Sequence, residues 1–250
     1  MKILALDSSG LVASVAVVEN DTLLAEYTVN YKKTHSQTLL PMLDEISNMT
    51  ELDLSTIDAI AVAGGPGSFT GLRIGSATAK GLGLALEKPL ISIPTTAAIA
   101  YNIWDTNKFV CPIMDARRNQ VYTGVYCYTD HRLDTVWEQD TMSIEALAEG
   151  LNCLDHEVIF LGDGVAVYRK KLQELLTIPF SFAPAHVNRQ RAAAVAALAE
   201  VYYKEGKIQT AEAHEPEYLR KSQAERERAE RESVKHADVL KKQKNGEKSE

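Results

Sequence analysis

Cysteine is scarce in this chain of 250 residues, and Cys111, Cys127 and Cys153 form no CxxC pair. Their odd number and wide spacing argue against a disulfide framework and a zinc cluster, and favour three buried free thiols. No apolar run approaches the roughly 18 residues that cross a membrane, and the start, MKILALDSSG, predicts a strand rather than a signal peptide. We therefore expect a cytoplasmic protein without membrane contact.

Positive charge is in short supply in the part of the chain expected to fold. The net charge of the whole chain is −7. Residues 221–250 contain nine Lys or Arg and seven Asp or Glu, a charge of +2, so the first 220 residues carry a charge of −9. An acidic body argues against a broad nucleic-acid footprint, so a partner would supply most of any RNA contact. Because residues 221–250 contain no aromatic residue and little to bury, they predict a disordered tail.

Apolar periodicity predicts one order of elements twice. In the first half, strands at 2–6, 12–18 and 23–29 precede a helix at 35–49, a strand at 59–63 and a helix from about 71. In the second half, strands at 109–114, 120–128 and 135–139 precede a helix at 143–151, a strand at 157–161 and a helix to about 176. Two βββαβα units in tandem indicate an α/β architecture of two lobes that face across a cleft, where ligands commonly bind.

Four segments follow from this organisation. We expect an N-terminal lobe at 1–104, a C-terminal lobe at 105–187, and a terminal helix and segment at 188–220 that packs back on the N-terminal lobe. Asn188 is the predicted N-cap of that terminal helix. The charged tail at 221–250 forms the fourth segment.

A glycine-rich segment, DAIAVAGGPGSFTGLRIGSATAKGLGLALE at residues 58–87, is the most specific feature of the chain. Glycines after a strand and a cap at Ser68 or Thr70 predict a sharp turn into a helix. The segment matches neither the Walker A pattern nor G-x-G-x-x-G, although an anion at the helix N-terminus stays possible. Small residues along the helix predict a surface that another helix or a ligand approaches closely.

Two short turns and one histidine carry the remaining candidate chemistry. Asp7-Ser8-Ser9-Gly10 is either a phosphate-binding turn or an ordinary hairpin, and the matching Asp115-Ala116-Arg117-Arg118 lacks the hydroxyls and the glycine. A metal-binding helix would need a second histidine one turn after His35, and Thr38 and Leu39 stand there. A small-molecule kinase or ATPase, and less so a metalloprotease, stay open beside a binding subunit.

Four stretches, LALDSS, THSQTLLPMLDEI, GGPGSFTGLRIGSATAKGLG and PEYLR, together resemble the TsaB (YeaZ) family over residues 1 to about 220. Members of that family are dimerization subunits of the bacterial machinery that makes threonylcarbamoyladenosine on tRNA. The resemblance implies an actin-like ASKHA (ribonuclease H-like) fold and no catalytic residue. It implies binding to the catalytic paralogue TsaD together with the ATPase TsaE, a homodimer in isolation, and tRNA contact only through the complex.

The resemblance also implies where partners and ligands would bind. The predicted partner and dimer face lies on the first helix and the glycine-loop helix and comprises His35, Leu39, Leu43, Phe69, Arg73, Ser76, Ala77 and Lys80. No metal and no cofactor are implied, although weak ADP or ATP binding stays open. Its candidate residues are Asp7, Ser8, Ser9, Gly10, Gly162, Asp163 and Gly164.

Overall fold

The structure is a computed structural model that describes residues 1–31 and 34–220, of which Met1–Tyr218 form one compact unit. The predicted tail at 221–250 lies outside the described residues. No helix among the described residues is long and apolar enough to span a bilayer.

The first sheet is built from the N-terminal half. Its elements are β1 (Lys2–Asp7), β2 (Ala13–Glu19), β3 (Thr22–Val29), α1 (Leu39–Thr50), β4 (Ala59–Gly65), α2 (Phe69–Leu86) and β5 (Leu90–Pro94). The strand order is β3-β2-β1-β4-β5, with antiparallel pairing from β3 to β1 and parallel pairing from β1 to β5. Every residue of β4 is buried, as expected for a parallel strand that is covered on both faces.

The second sheet repeats this topology. After α3 (Thr95–Ala100) come β6 (Phe109–Asp115), β7 (Gln120–Thr129), β8 (Arg132–Ser143), α4 (Ile144–Leu154), β9 (Val158–Leu161), α5 (Gly164–Leu175) and β10 (Phe180–Phe182). Its order, β8-β7-β6-β9-β10, matches that of the first sheet strand for strand. The predicted duplicated α/β architecture of the actin-like ASKHA class is therefore confirmed.

Two alanine-rich helices join the sheets. α3 and the last helix, α6 (Ala192–Lys204), share one apolar core with β1, β4 and β5 on one side and β6 and β9 on the other. Small side chains let both helices lie close to the strands they cover. A second core fills the space between the first sheet, α1 and α2, and a third lies between the second sheet, α4 and α5.

The start of α6 differs from the prediction of Asn188 as its N-cap. Arg191 holds the cap position, and its side chain makes no capping bond. Instead, Ser14 Oγ accepts from the Ala192 N–H at 2.8 Å, and the Glu26 carboxylate accepts from the Ala193 N–H at 3.2 Å. Side chains from strands distant in sequence thus accept hydrogen bonds from the first N–H groups of the helix, and no local sequence pattern predicts these acceptors.

Two further differences lie at element ends. The predicted helix at 35–49 begins with a 3-10 turn, His35–Gln37, and continues as α1 only from Leu39. Strand β10 was not predicted, because it has only three residues and lies between Pro179 and Pro184. It nevertheless pairs in parallel with β9 and completes the second sheet.

Candidate functional site

The inner face of α2 lies against the turn between β1 and β2. The helix begins after Ser68, whose hydroxyl accepts from the Gly71 N–H at 3.3 Å. A Cβ atom at Gly71 would collide with the Ser8 carbonyl oxygen, and one at Gly75 with the Ser8 hydroxyl. Ser8 Oγ in turn donates to the Gly71 carbonyl at 2.9 Å. The close approach predicted for another subunit is, at these two glycines, an approach to the chain's own turn.

The glycine turn before α2 is likewise filled from within the chain. The Glu217 N–H donates to the Gly64 carbonyl at 2.7 Å, and a Cβ atom at Gly65 would collide with the Glu217 carbonyl oxygen. The Ser68 N–H donates to the Ser9 carbonyl at 2.7 Å. The Ser68 N–H, a donor that could otherwise face an anion, is therefore engaged with Ser9.

The outer face of α2 is different, because its residues contact solvent. One stripe along the helix is exposed, and it consists of Thr70, Arg73, Ala77, Gly81 and Leu84. A methyl group on Gly81 would meet no heavy atom within 4 Å, and Leu84 is 53% exposed. We call these five residues the outer stripe. Its middle is flat and its two ends carry a cation and an apolar side chain.

Helix α1 lies beside α2 and adds to the exposed surface. Its inward residues, Met42 and Ile46 among them, are buried in the core under the first sheet. Leu40 and Met49 point the other way and are 53% and 78% exposed. Helix α1 thus leaves two large apolar side chains on its solvent side.

Residues 209–218 form a segment, here called the C-terminal strap, that is bonded to α2. The Ser76 hydroxyl lies 2.5 Å from Nε2 of the buried His214, and the Gln209 amide donates to Nδ1 at 2.8 Å. Lys80 Nζ donates to the carbonyls of Glu212 and His214 at 3.0 Å each. Burial, and secondarily Lys80, lower the pKa of His214, so its imidazole is held neutral.

The strap ends in an aromatic contact at the first turn of α2. The rings of Phe69 and Tyr218 lie 4.8 Å apart between centroids, and the Arg73 guanidinium lies 4.4 Å from the Phe69 centroid. A cation stacked on an aromatic face is held in place at a partly exposed site. This stack thus fixes the charged end of the outer stripe.

The turn predicted to bind nucleotide in the first lobe is buried and internally bonded. Asp7 Oδ1 accepts from the Ser9 N–H at 2.9 Å and from Ser9 Oγ at 2.7 Å, whereas Oδ2 has no partner among the described residues. Burial raises the pKa of Asp7 to about 6, although the Ser9 bonds and His35 act in the opposite direction. The His35 imidazole bonds to the Gly10 carbonyl at 2.9 Å.

The second predicted nucleotide loop packs on β6. A Cβ atom at Gly162, where φ is +100°, would collide with the Ile113 carbonyl oxygen, so only glycine fits there. Asp163 Oδ1 accepts from the Asp115 N–H at 3.3 Å, and burial raises the pKa of Asp163. Gly164 opens α5 beside the same strand. The residues of this loop therefore pack against β6 of their own lobe.

Among residues 1–31 and 34–220, no three His, Cys, Asp or Glu side chains lie where they could hold one metal ion. All three cysteines are free thiols, but only Cys111 is buried, whereas Cys127 is half-buried and Cys153 exposed. The prediction that all three are buried is therefore wrong for Cys127 and Cys153, which lie on sides of their elements that the core does not cover.

Comparison with known proteins places this architecture. The family model described as TsaD, tRNA N6-adenosine threonylcarbamoyltransferase, matches residues 22–228. The tRNA threonylcarbamoyladenosine biosynthesis protein TsaB of Bacillus subtilis is 32% identical over 225 residues, which is 90% of this chain and 96% of that protein. The chain belongs to the TsaB family. TsaB of Escherichia coli is 33% identical over 66% of the chain and 72% of its own length.

The solved structures agree with this TsaB assignment. YeaZ from Pseudomonas aeruginosa superposes with a TM-score of 0.76 at 27% identity and covers 87% of this chain and 99% of its own. A second Pseudomonas aeruginosa structure, described as an uncharacterized protein with similarity to peptidase YEAZ, gives a TM-score of 0.77 at 27% identity over 88% of this chain and 99% of its own.

Three residues predicted for the TsaB partner face lie in the interior. Leu39 and Leu43 are 1% and 4% exposed, and Ser76 is 4% exposed and bonded to His214. The reason is that apolar periodicity identifies the helix face that packs on its own sheet. The prediction for these three residues is therefore wrong in the isolated chain.

The other predicted face residues fall into three groups. Arg73 and Ala77 belong to the outer stripe, while Phe69 and His35 are half-buried. Lys80 is half-buried and donates hydrogen bonds to the strap. Six exposed residues of this surface were not in the prediction, namely Leu40, Met49, Thr70, Gly81, Leu84 and Tyr218. Each is offset from the core-facing positions, and no local pattern distinguishes it from an ordinary surface residue.

Proposed function

We propose that this TsaB-family chain is a non-catalytic scaffold subunit in the cytoplasm. It binds a TsaD-type catalytic paralogue, with a TsaE-type ATPase joining the assembly, for threonylcarbamoyl transfer to the adenosine next to the tRNA anticodon. The observation that carries this proposal is the outer stripe of α2, which is exposed, small in its middle and apolar at one end.

The stripe has the properties that close helix packing requires. Ala77 and Gly81 lie one turn apart on the same face, and no side chain among the described residues covers Gly81. Two helices that meet at such small residues pack at the short end of the usual 8–10 Å range. Leu84 at one end then offers apolar surface, and the stacked Arg73 at the other offers a fixed cation for a partner carboxylate.

The same face would serve a homodimer when the partner is absent, since two copies of a flat helix can pack against each other. Homodimer and heterodimer then exclude one another. The proposal assigns no steady ATP turnover to the chain, because the Ser8 and Ser9 hydroxyls are already bonded within it. Weak binding of ADP or ATP stays compatible with it.

The test compares two double variants. Ala77→Trp with Leu84→Asp places a bulky ring and a charge on the outer stripe, where both side chains are exposed. Ala166→Trp with Val167→Asp makes the same changes at exposed positions of α5 and serves as the matched control. Size-exclusion chromatography with the cognate TsaD-type protein should show a complex for the parent and the control and none for the stripe variant.

Circular dichroism must show that both variants keep their fold. If the stripe variant elutes with the TsaD-type protein as the parent does, the outer stripe is not the interface. If the parent itself forms no complex, the scaffold function is refuted. Analytical ultracentrifugation of each chain alone would report in the same way on the homodimer.

A further inference from the structure

The turn between β6 and β7 holds three consecutive residues in a left-handed conformation without any glycine. The φ angles of Arg117, Arg118 and Asn119 are +62°, +54° and +60°. For residues other than Gly, Asn and Asp, this region costs on the order of 1 kcal/mol or more per residue. Arg117 and Arg118 are exposed, so burial of their side chains does not offset that cost.

Other hairpins of the chain solve the same geometric problem differently. The turn between β2 and β3 has positive φ at Asn20 and Asp21, and the turn between β7 and β8 has it at Asp130 and His131. These residue types tolerate the left-handed region well. Where only a turn is needed, the chain thus uses the expected residues, whereas the β6–β7 turn presents two arginines.

The turn is braced by its own lobe. The Ala116 N–H donates to the Gln120 carbonyl at 2.9 Å, and the Arg117 N–H donates to Asp115 Oδ1 at 2.9 Å. Asn119 Nδ2 donates to both carboxylate oxygens of Glu145 in α4, at 2.9 and 2.8 Å. Lys171 of α5 bonds to Asn119 Oδ1 at 3.1 Å and pairs with the same carboxylate. The backbone that carries the two arginines is therefore preorganised.

Their guanidinium groups are free within Met1–Tyr218. Every other arginine of that unit is engaged: Arg73 and Arg169 stack on phenylalanine rings, Arg132 and Arg191 pair with Glu205 and Glu26, and Arg189 bonds to backbone carbonyls. Arg117 and Arg118 have no such contact among the described residues. Two consecutive exposed arginines on a turn braced by hydrogen bonds suit an anion that offers neighbouring charges, and the planar forks of their guanidinium groups match phosphate oxygens.

We propose that Arg117 and Arg118 bind the phosphodiester backbone of tRNA directly when the chain is in its complex. This inference rests on the proposed scaffold function, and it replaces the expectation that tRNA is contacted only through a partner. RNA is the favoured anion because the relatives are named for tRNA modification. Since the chain outside the tail is acidic, the contact is a local one whose strength depends steeply on salt.

The test measures tRNA binding by the assembled complex. Arg117→Asn with Arg118→Asn removes two charges, and Lys170→Asn with Lys204→Asn removes two from exposed helix positions and is the matched control. Fluorescence anisotropy with a labelled tRNA transcript should show roughly 20- to 60-fold weaker binding for the arginine variant at about 0.1 M salt, because each lost phosphate contact lowers the salt slope by about 0.7–0.9. The lysine control should bind within about two-fold of the parent.

Asparagine suits the left-handed region, so the arginine variant should melt at the same or a higher temperature than the parent. Weaker binding then cannot be ascribed to unfolding. Binding as tight as that of the parent overturns the inference, and so does an equal loss in the lysine control. Loss of the TsaD-type subunit from the variant on size exclusion would instead make the turn a protein contact. Failure of the parent to assemble appears before tRNA is added and refutes the scaffold function itself.

Discussion

The buried environment of the Asp7 carboxylate allows a quantitative prediction of how stability depends on pH. It is 0% exposed and lies at the end of β1, and only one of its oxygens has a partner among the described residues. Asp7→Asn keeps an acceptor oxygen for the two Ser9 bonds and removes the charge. The variant is therefore expected to be less sensitive to pH than the parent.

The sign and size follow from the raised pKa. Burial moves the pKa of Asp7 from 3.8 to about 6, so between these values the folded protein retains a proton that the unfolded chain has released. The contribution of Asp7 to the free energy of unfolding thus falls as pH rises through that window. Between about pH 4.5 and about pH 7.5 the expected loss is about 2 kcal/mol, and Asp7→Asn should abolish it.

Urea denaturation of parent and variant at both pH values measures this difference. A constant cost of the buried amide cancels when each protein is compared with itself, and so do the groups that both proteins share. Glu45→Gln, at an exposed position of α1, is the control and should leave the pH dependence unchanged. If Asp7→Asn loses stability with pH as steeply as the parent does, Asp7 is not an ionised buried carboxylate and the reasoning fails.

Two other predictions concern α2. Gly71→Ala should destabilise the fold by several kcal/mol because its methyl group collides with the Ser8 backbone. Gly81→Ala places its methyl group in open space and should raise the free energy of unfolding by about 1 kcal/mol. Equal melting temperatures of the two variants would contradict this prediction. Ser76→Ala should cost about 1–3 kcal/mol because it leaves Nε2 of the buried His214 without its partner, while Nδ1 keeps its bond to Gln209. The variant should also speed proteolysis of the strap, and an unchanged rate would show that the bond to Ser76 does not hold the strap in place.

Much of the fold could be predicted because its signals are local. Alternating and continuous apolar runs gave the strands, and hydroxyls before apolar helices gave the caps: Ser68 and Ser143 both bond to the backbone N–H three residues on. The repeat of βββαβα was visible for the same reason. Element ends that depend on distant partners could not be predicted in this way. At the start of α6, for example, Ser14 and Glu26 supply the acceptors for the first N–H groups.

The candidate site was predicted only in outline. The sequence identified α2 and its small residues, but it could not separate glycines that meet the chain's own turn, such as Gly71, from one that meets nothing, such as Gly81. The sequence gives the residues of a helix, whereas the sheet on which the helix packs decides which of its faces is buried and which is exposed. The same holds for the arginine pair, since Glu145 and Lys171, which bond to Asn119 in the same left-handed turn, come from helices far along the chain.

The sequence by itself determined the duplicated α/β architecture and the family, because periodicity and short motifs are properties of neighbouring residues. Only the tertiary structure decided which side of the glycine-rich helix is free. Close packing against the β1–β2 turn uses Gly71 and Gly75 and leaves Ala77 and Gly81 at the surface. Which side packs depends on contacts between residues more than sixty positions apart in the chain, as in the bond from Ser8 to Gly71.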